Sequence, residues 1–141
     1  MIKPISGGRP LNALFQRLAA DPAWMCQAKV DGCRALWNGA ELRTRNGQRL
    51  NAPAELHGIA ERIDGEYLRG VFYAFDLVDH PGTLDERWAA LQALGIQTIP
   101  AWVSWRDVQR NQWEGVVFKR RDSVYPRARK KTTPSWVKFR A

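Results

Sequence analysis

The chain has no apolar run of about 18 residues, so a transmembrane helix is not expected. Its start, Met1-Ile2-Lys3-Pro4, lacks the apolar stretch of a secretory signal. Cysteine is scarce: Cys26 and Cys33 are the only two, with no Cys or His pairs to complement them. That pattern excludes a structural metal framework, and two reduced thiols in or near the core of a cytoplasmic protein are expected. No internal repeat and no Ser/Gly linker interrupts the sequence. With 141 residues there is enough chain for one compact domain with a real core, over residues 1–141.

Tryptophan, by contrast, is abundant. Seven of them supply core volume and flat surfaces on which rings or bases stack. The net charge of +8 is unevenly placed. Residues 1–114 hold 13 basic and 13 acidic side chains and balance; residues 115–141 hold nine basic side chains and one acid, Asp122. The whole excess lies in Lys119-Arg120-Arg121, Arg127, Arg129-Lys130-Lys131, Lys138 and Arg140. A basic segment of this kind is the electrostatic footprint of a polyanion partner. Tyr125, Trp136, Val137 and Phe139 interleave the charges, so part of the segment should pack as structure rather than hang as a tail.

The pattern of apolar residues predicts mixed α+β structure. Leu11, Leu14, Phe15 and Leu18 have helical spacing, closed by Asp21-Pro22. Residues 25–30 read as a strand. Asn38-Gly39 lies between Ala35-Leu36-Trp37 and Glu41-Leu42-Arg43, a strong hairpin signal, and Asn46-Gly47 marks a second turn. A short helix is expected over Ala54–Arg62 and a buried strand over Val71–Val78. Thr83-Leu84-Asp85-Glu86 has the capping-box pattern, followed by Leu84, Trp88, Leu91 and Leu94 on one helical face, with Gly95 as the stop. Gln97–Val103 reads as a strand broken by Pro100, Ser104–Trp113 as a short helix, and Gly115–Lys119 and Ser135–Phe139 as the last strands.

The chemistry concentrates in Lys29-Val30-Asp31-Gly32-Cys33-Arg34. A deprotonated lysine amine is a nucleophile able to take a nucleotide from a triphosphate as a phosphoramidate. That requires a lysine well below its free pKa of about 10.4, which partial burial and nearby cations would favour. Arg34 and Arg45 present planar forks suited to phosphate and ribose oxygens, and Arg43 and Arg49 flank Arg45 with period two.

The six residues from Lys29 to Arg34 resemble the KxDGxR nucleotidylation motif of the ATP-dependent DNA ligases, which RNA ligases and mRNA capping enzymes share. Five further elements follow in the family's order: Thr44-Arg45-Asn46-Gly47, Ile63-Asp64-Gly65-Glu66, Tyr73-Ala74-Phe75-Asp76, Glu114-Gly115-Val116-Val117-Phe118-Lys119 and Trp136-Val137-Lys138-Phe139-Arg140. Together they cover residues 29–140.

The resemblance implies the adenylation-domain fold, with antiparallel sheets and flanking helices around a nucleotide cleft. It implies Lys29 as the catalytic nucleophile. Arg34, Glu66, Phe75, Lys138 and Arg140 would bind ATP and AMP, with Phe75 stacked on the purine. Glu114 and Asp31 would serve the metal, Mg²⁺ or Mn²⁺. Arg45, Lys119, Arg120, Arg121, Arg129, Lys130 and Lys131 would contact nucleic acid. The implied activity is nick sealing on duplex DNA, in repair or replication, in a bacterial or phage-like setting. Two features depart from the family pattern. Arg140 replaces the second lysine of the terminal KxK, and the family's OB-fold domain is expected to be absent or on another chain. A noncatalytic nucleic-acid-binding module, or a ligase for RNA or RNA–DNA hybrid ends, are the competing expectations.

Overall fold

The computed structural model describes residues 1–126 and 132–141. Along the chain come β1 (Lys3–Ser6), α1 (Ala13–Ala20), β2 (Trp24–Lys29), β3 (Cys33–Trp37), β4 (Leu42–Thr44) and β5 (Arg49–Leu50). A 3₁₀ turn at Ala54–Leu56 leads to β6 (Ile63–Leu68), β7 (Val71–Leu77), α2 (Leu84–Ala93), α3 (Trp105–Asn111), β8 (Gly115–Arg120) and β9 (Thr132–Arg140). Two compact units result: Met1–Asp31 with Pro100–Ala141, and Gly32–Ile99.

The first unit is built on a four-stranded sheet in the order β1-β9-β8-β2. β2, β8 and β9 pair antiparallel. Their alternation turns Cys26, Val116, Phe118, Val137 and Phe139 to one face, where Phe15 and Leu18 of α1 and Val108 of α3 close the core. Phe15 meets Phe118, Phe139 and Trp105 edge to face, at centroid distances of 5.2, 5.1 and 5.7 Å. Each such pair contributes about 0.5–1.5 kcal/mol beyond its burial. The same alternation commits the opposite face of these strands to Lys29, Lys138 and Arg140.

The second unit is a five-stranded antiparallel sheet in the order β5-β4-β3-β6-β7. Asn38 Oδ1 accepts from the backbone N–H groups of Ala40 and Glu41, closing the β3–β4 turn foreseen at Asn38-Gly39. Ala35, Trp37, Leu42, Leu56, Ile63, Phe72, Ala74 and Leu77 form the core with Leu91 of α2. One polar pair lies inside this unit. Arg87 Nε is 2.6 Å from Asp76 Oδ1 and its Nη2 is 3.1 Å from Oδ2, while Nη1 donates to the Gly82 carbonyl at 3.0 Å. Both side chains are fully buried. Arg87 occupies a position on the apolar face of α2, three residues after Leu84 and four before Leu91, which is the signal that could have exposed it in the sequence.

The structure departs from the sequence expectation at several points. Leu11 is outside its helix, at φ 61° and half exposed, because Asn12 caps α1 by accepting from Phe15 N at 2.8 Å. The helix expected over Ala54–Arg62 is a single 3₁₀ turn; Gly58, at φ 91°, turns the chain away before a second turn forms. Gln97–Val103 makes no strand, only isolated bridges from Thr98 to Ala74 and from Ala101 to Gln27. β1 and β5 were not anticipated, being short and polar, and β1 pairs parallel with β9 in an otherwise antiparallel sheet. Cys33 is exposed rather than near the core. Cys26 is buried, and burial, with the Asp107 carboxylate adding, pushes its thiol up to about 12, which leaves it inert near neutral pH.

The capping box expected at Thr83 is present, and the structure adds a second at Ser104. Thr83 and Glu86 cap α2 reciprocally, and Ser104 and Asp107 cap α3. Hydrogen bonds from Thr83 and from Ser104, backbone first, hold the Glu86 and Asp107 carboxyls below their ordinary values. A folded-state pKa below the unfolded one stabilises the fold above the unfolded pKa, and that share is lost as pH falls through the folded value. The thermal midpoint is therefore expected to fall between about pH 5 and pH 2, and the Glu86→Gln, Asp107→Asn double variant should lose less over that range by circular dichroism.

Candidate active site

Lys29 ends β2 and is the register partner of Gly115 on β8, which in turn pairs with Arg140 on β9. Three adjacent strands thereby bring Lys29, Glu114 and Arg140 to one end of the sheet. Lys29 Nζ lies 3.2 Å from Glu114 Oε2, and Arg140 Nε lies 3.1 Å from Glu114 Oε1. One carboxylate thus bridges two cations far apart in sequence. Lys138, two residues before Arg140 and on the same face, has its pKa held below the ordinary lysine value, first by burial and then by Arg140, Lys29 and Lys3, with Glu114 opposing. The Lys29 side chain is 17% exposed, so the amine is sheltered yet reachable. A lysine nucleophile among cations is an arrangement suited to phosphoryl chemistry, in which negative charge on phosphate oxygens must be held.

Asp31 lies two residues beyond β2 and is exposed. Among the described residues no group of three or more His, Cys, Asp or Glu side chains converges to cage a metal. Mg²⁺ in general keeps several waters and takes one or two carboxylates. Glu114 could serve it only by sharing the oxygens it now gives to Lys29 and Arg140.

In the second unit, Arg34 on β3 is the register partner of Glu66 on β6, and Glu66 of Tyr73 on β7, so the three share a face. Arg34 Nε donates to Asp64 Oδ1 at 2.9 Å and Nη2 to Asp64 Oδ2 at 2.5 Å. Its guanidinium carbon lies 5.4 Å from the centroid of the half-buried Phe75 ring. Buried Asp64 thus holds the Arg34 guanidinium bidentately and sets it against Phe75. Asp64 was missed as a site residue, although its place two residues before Glu66 puts both on one face of a strand. Arg45 is exposed at the turn between β4 and β5.

The C-terminal cations divide. Lys119 is 2% exposed, with its Nζ 4.3 Å from the Trp136 ring centroid. Arg120 is exposed and pairs with Asp122 at 2.8 Å. Arg121 lies 5.2 Å from the Trp102 ring centroid and donates to the Pro22 carbonyl at 2.8 Å. Arg129, Lys130 and Lys131 lie outside the described residues.

No protein-family model matches the chain. A structure described as a Lig E DNA ligase with a minimal DNA-binding scaffold superposes over 100% of this chain and 70% of its own, with a TM-score of 0.70 at 19% identity. The chain has the fold of a DNA-ligase adenylation domain. A mycobacterial DNA ligase D solved with ATP agrees, over 83% of this chain and 54% of its own, with a TM-score of 0.63 at 24% identity. In sequence, the chain is 27% identical over 146 residues to a DNA ligase of Haemophilus influenzae, covering 75% of this chain. It spans about half, 54%, of that ligase's length. The resemblance to ATP-dependent DNA ligases that the motifs carry thus extends to the fold. No helix among the described residues is long and apolar enough to cross a membrane.

Proposed function

We propose that the chain is a single nucleotidyltransferase domain acting as an ATP-dependent DNA ligase on nicked duplex. The observation that carries this reading is the Glu114 carboxylate joining Lys29 and Arg140 beside Lys138, within a fold common to DNA ligases. In the first step the Lys29 amine attacks the α-phosphorus of ATP. A nitrogen–phosphorus bond forms, the bond to the β-phosphate oxygen breaks, and pyrophosphate leaves. The amine proton passes to Glu114 or to water. Lys138 and Arg140 balance the phosphate charge through the step. In the second step a strand's 5′-phosphate oxygen attacks the lysyl-AMP phosphorus and frees Lys29. In the third, the neighbouring 3′-hydroxyl attacks the activated 5′-phosphate, closing the strand and releasing AMP.

ATP is supported as donor by the mycobacterial relative solved with it, and Mg²⁺ would enter with the triphosphate. The motif resemblance assigns Phe75 to the purine and Glu66 to the ribose; within the second unit, Arg34 backs the Phe75 ring and Glu66 lies on the same sheet face as Arg34. DNA as the nucleic acid is supported by the DNA-ligase relatives. ATP labelled at the α-phosphate should leave label on the protein, on a bond labile to acid as phosphoramidates are. Wild-type protein that stays unlabelled with ATP and Mg²⁺ would sink the reading.

A further inference from the structure

Next to the cations of the candidate active site is an open pocket of about 510 Å³ lined by Ser6, Gly8, Arg9, Pro10, Lys138 and Arg140. None of Ser6, Gly8, Arg9 or Pro10 belongs to the motifs above. The loop that carries them is fixed in place. Gly7 N–H donates to the Lys138 carbonyl at 2.9 Å, and the Gly7 carbonyl accepts from Asn12 Nδ2 at 2.9 Å. A side chain at Gly7 would meet the Phe139 ring at 2.3 Å, so glycine is what lets the loop lie against β9. The loop is therefore tied to the strand that bears Lys138 and Arg140, and it brings a third cation, Arg9, to the same hollow.

All three charged residues lining the pocket are positive. Lys3 and Lys29 add to the field at Lys138, and the acid acting there, Glu114, is already shared between Lys29 and Arg140. Such a concavity favours a polyvalent anion. The loop continues from β1, three strands from the β2 that carries Lys29, roughly 14 Å at normal strand spacing. A triphosphate held at Lys29 by its α-phosphorus is short for that span, whereas a polynucleotide strand presents phosphates along its length.

Building on the ligase reading, we propose that Ser6 and Arg9, on the loop beside Lys138 and Arg140, form a subsite for a backbone phosphate of the nucleic-acid strand. Arg9 is the residue to test, being exposed and outside the Lys29–Glu114 network. Arg9→Ala, and more strongly Arg9→Glu, should weaken binding of nicked DNA, by about tenfold for alanine. The slope of log affinity against log salt should become shallower by about 0.9. Arg9→Lys should keep most of that slope. Equal affinity and equal slope for Arg9→Ala would overturn the subsite. Label taken up from ATP alone is measured on the same proteins. If Arg9→Ala loses it, the pocket serves the triphosphate and the proposal is wrong. If wild type takes up no label, the ligase reading fails instead, while the binding data still decide the subsite.

Discussion

Lys29→Arg is expected to abolish labelling by ATP, by about 10⁴-fold or more, the scale on which removing a covalent nucleophile acts. The substitution keeps the positive charge and a donor able to meet Glu114. What it removes is the lone pair, because a guanidinium stays protonated throughout the working range. Affinity for nicked DNA should hold, since the charge does. The steps separate further. A nick whose 5′-phosphate already carries AMP bypasses the lysine, so Lys29→Arg should still close that substrate while failing on ATP with an ordinary nick. A label on the variant equal to that on wild type would show that Lys29 is not the nucleophile, and Glu114 and Arg140 would then need another role.

Arg87→Met is expected to lower stability by about 3–5 kcal/mol, since it leaves the Asp76 carboxylate charged and uncompensated in the interior. For a chain of this size that is a fall in thermal midpoint of about 10–20 °C. Asp76→Leu should cost a similar amount by stranding the guanidinium. The double variant should recover much of the loss, because a buried ion pair replaced as a whole by apolar groups is often close to neutral. Asp76 is the residue after Phe75, and the pair ties β7 to α2. The double variant therefore separates two effects. If it regains stability yet binds ATP more weakly than wild type, the ion pair also sets the placement of Phe75. Single variants that melt with wild type would show the pair to be without weight in the fold.

Local signals in the sequence were dependable where the chain's neighbours along itself decide the outcome. The Asn38 turn needs only its own side chain and two nearby N–H groups. The Thr83 box closes within four residues. The alternation of Val116, Phe118, Val137 and Phe139 already implied one buried face, and hence one face left for Lys138 and Arg140. Failures came where local preference was weak and a distant partner decided. β1 holds four unremarkable residues that become a strand because β9 is beside them. Residues 54–62 had helical composition but not the path the chain required, and Gly58 gave way to that path.

The same division runs through the site. The sequence by itself determined which chemistry was on offer: a lysine set before Asp-Gly, ordered motifs behind it, and an excess of positive charge confined to the last 27 residues. It could not say how each charge is held. Arg34 and Lys119 look alike as cations in the sequence, but one is held by Asp64 and the other is buried on Trp136. Nor could it say that Glu114, 85 residues from Lys29, would be the carboxylate shared by Lys29 and Arg140. Charge and nucleophilicity are properties of residues, and the sequence lists them. Pairing, burial and distance are properties of strands brought side by side, and only the tertiary structure assigns those.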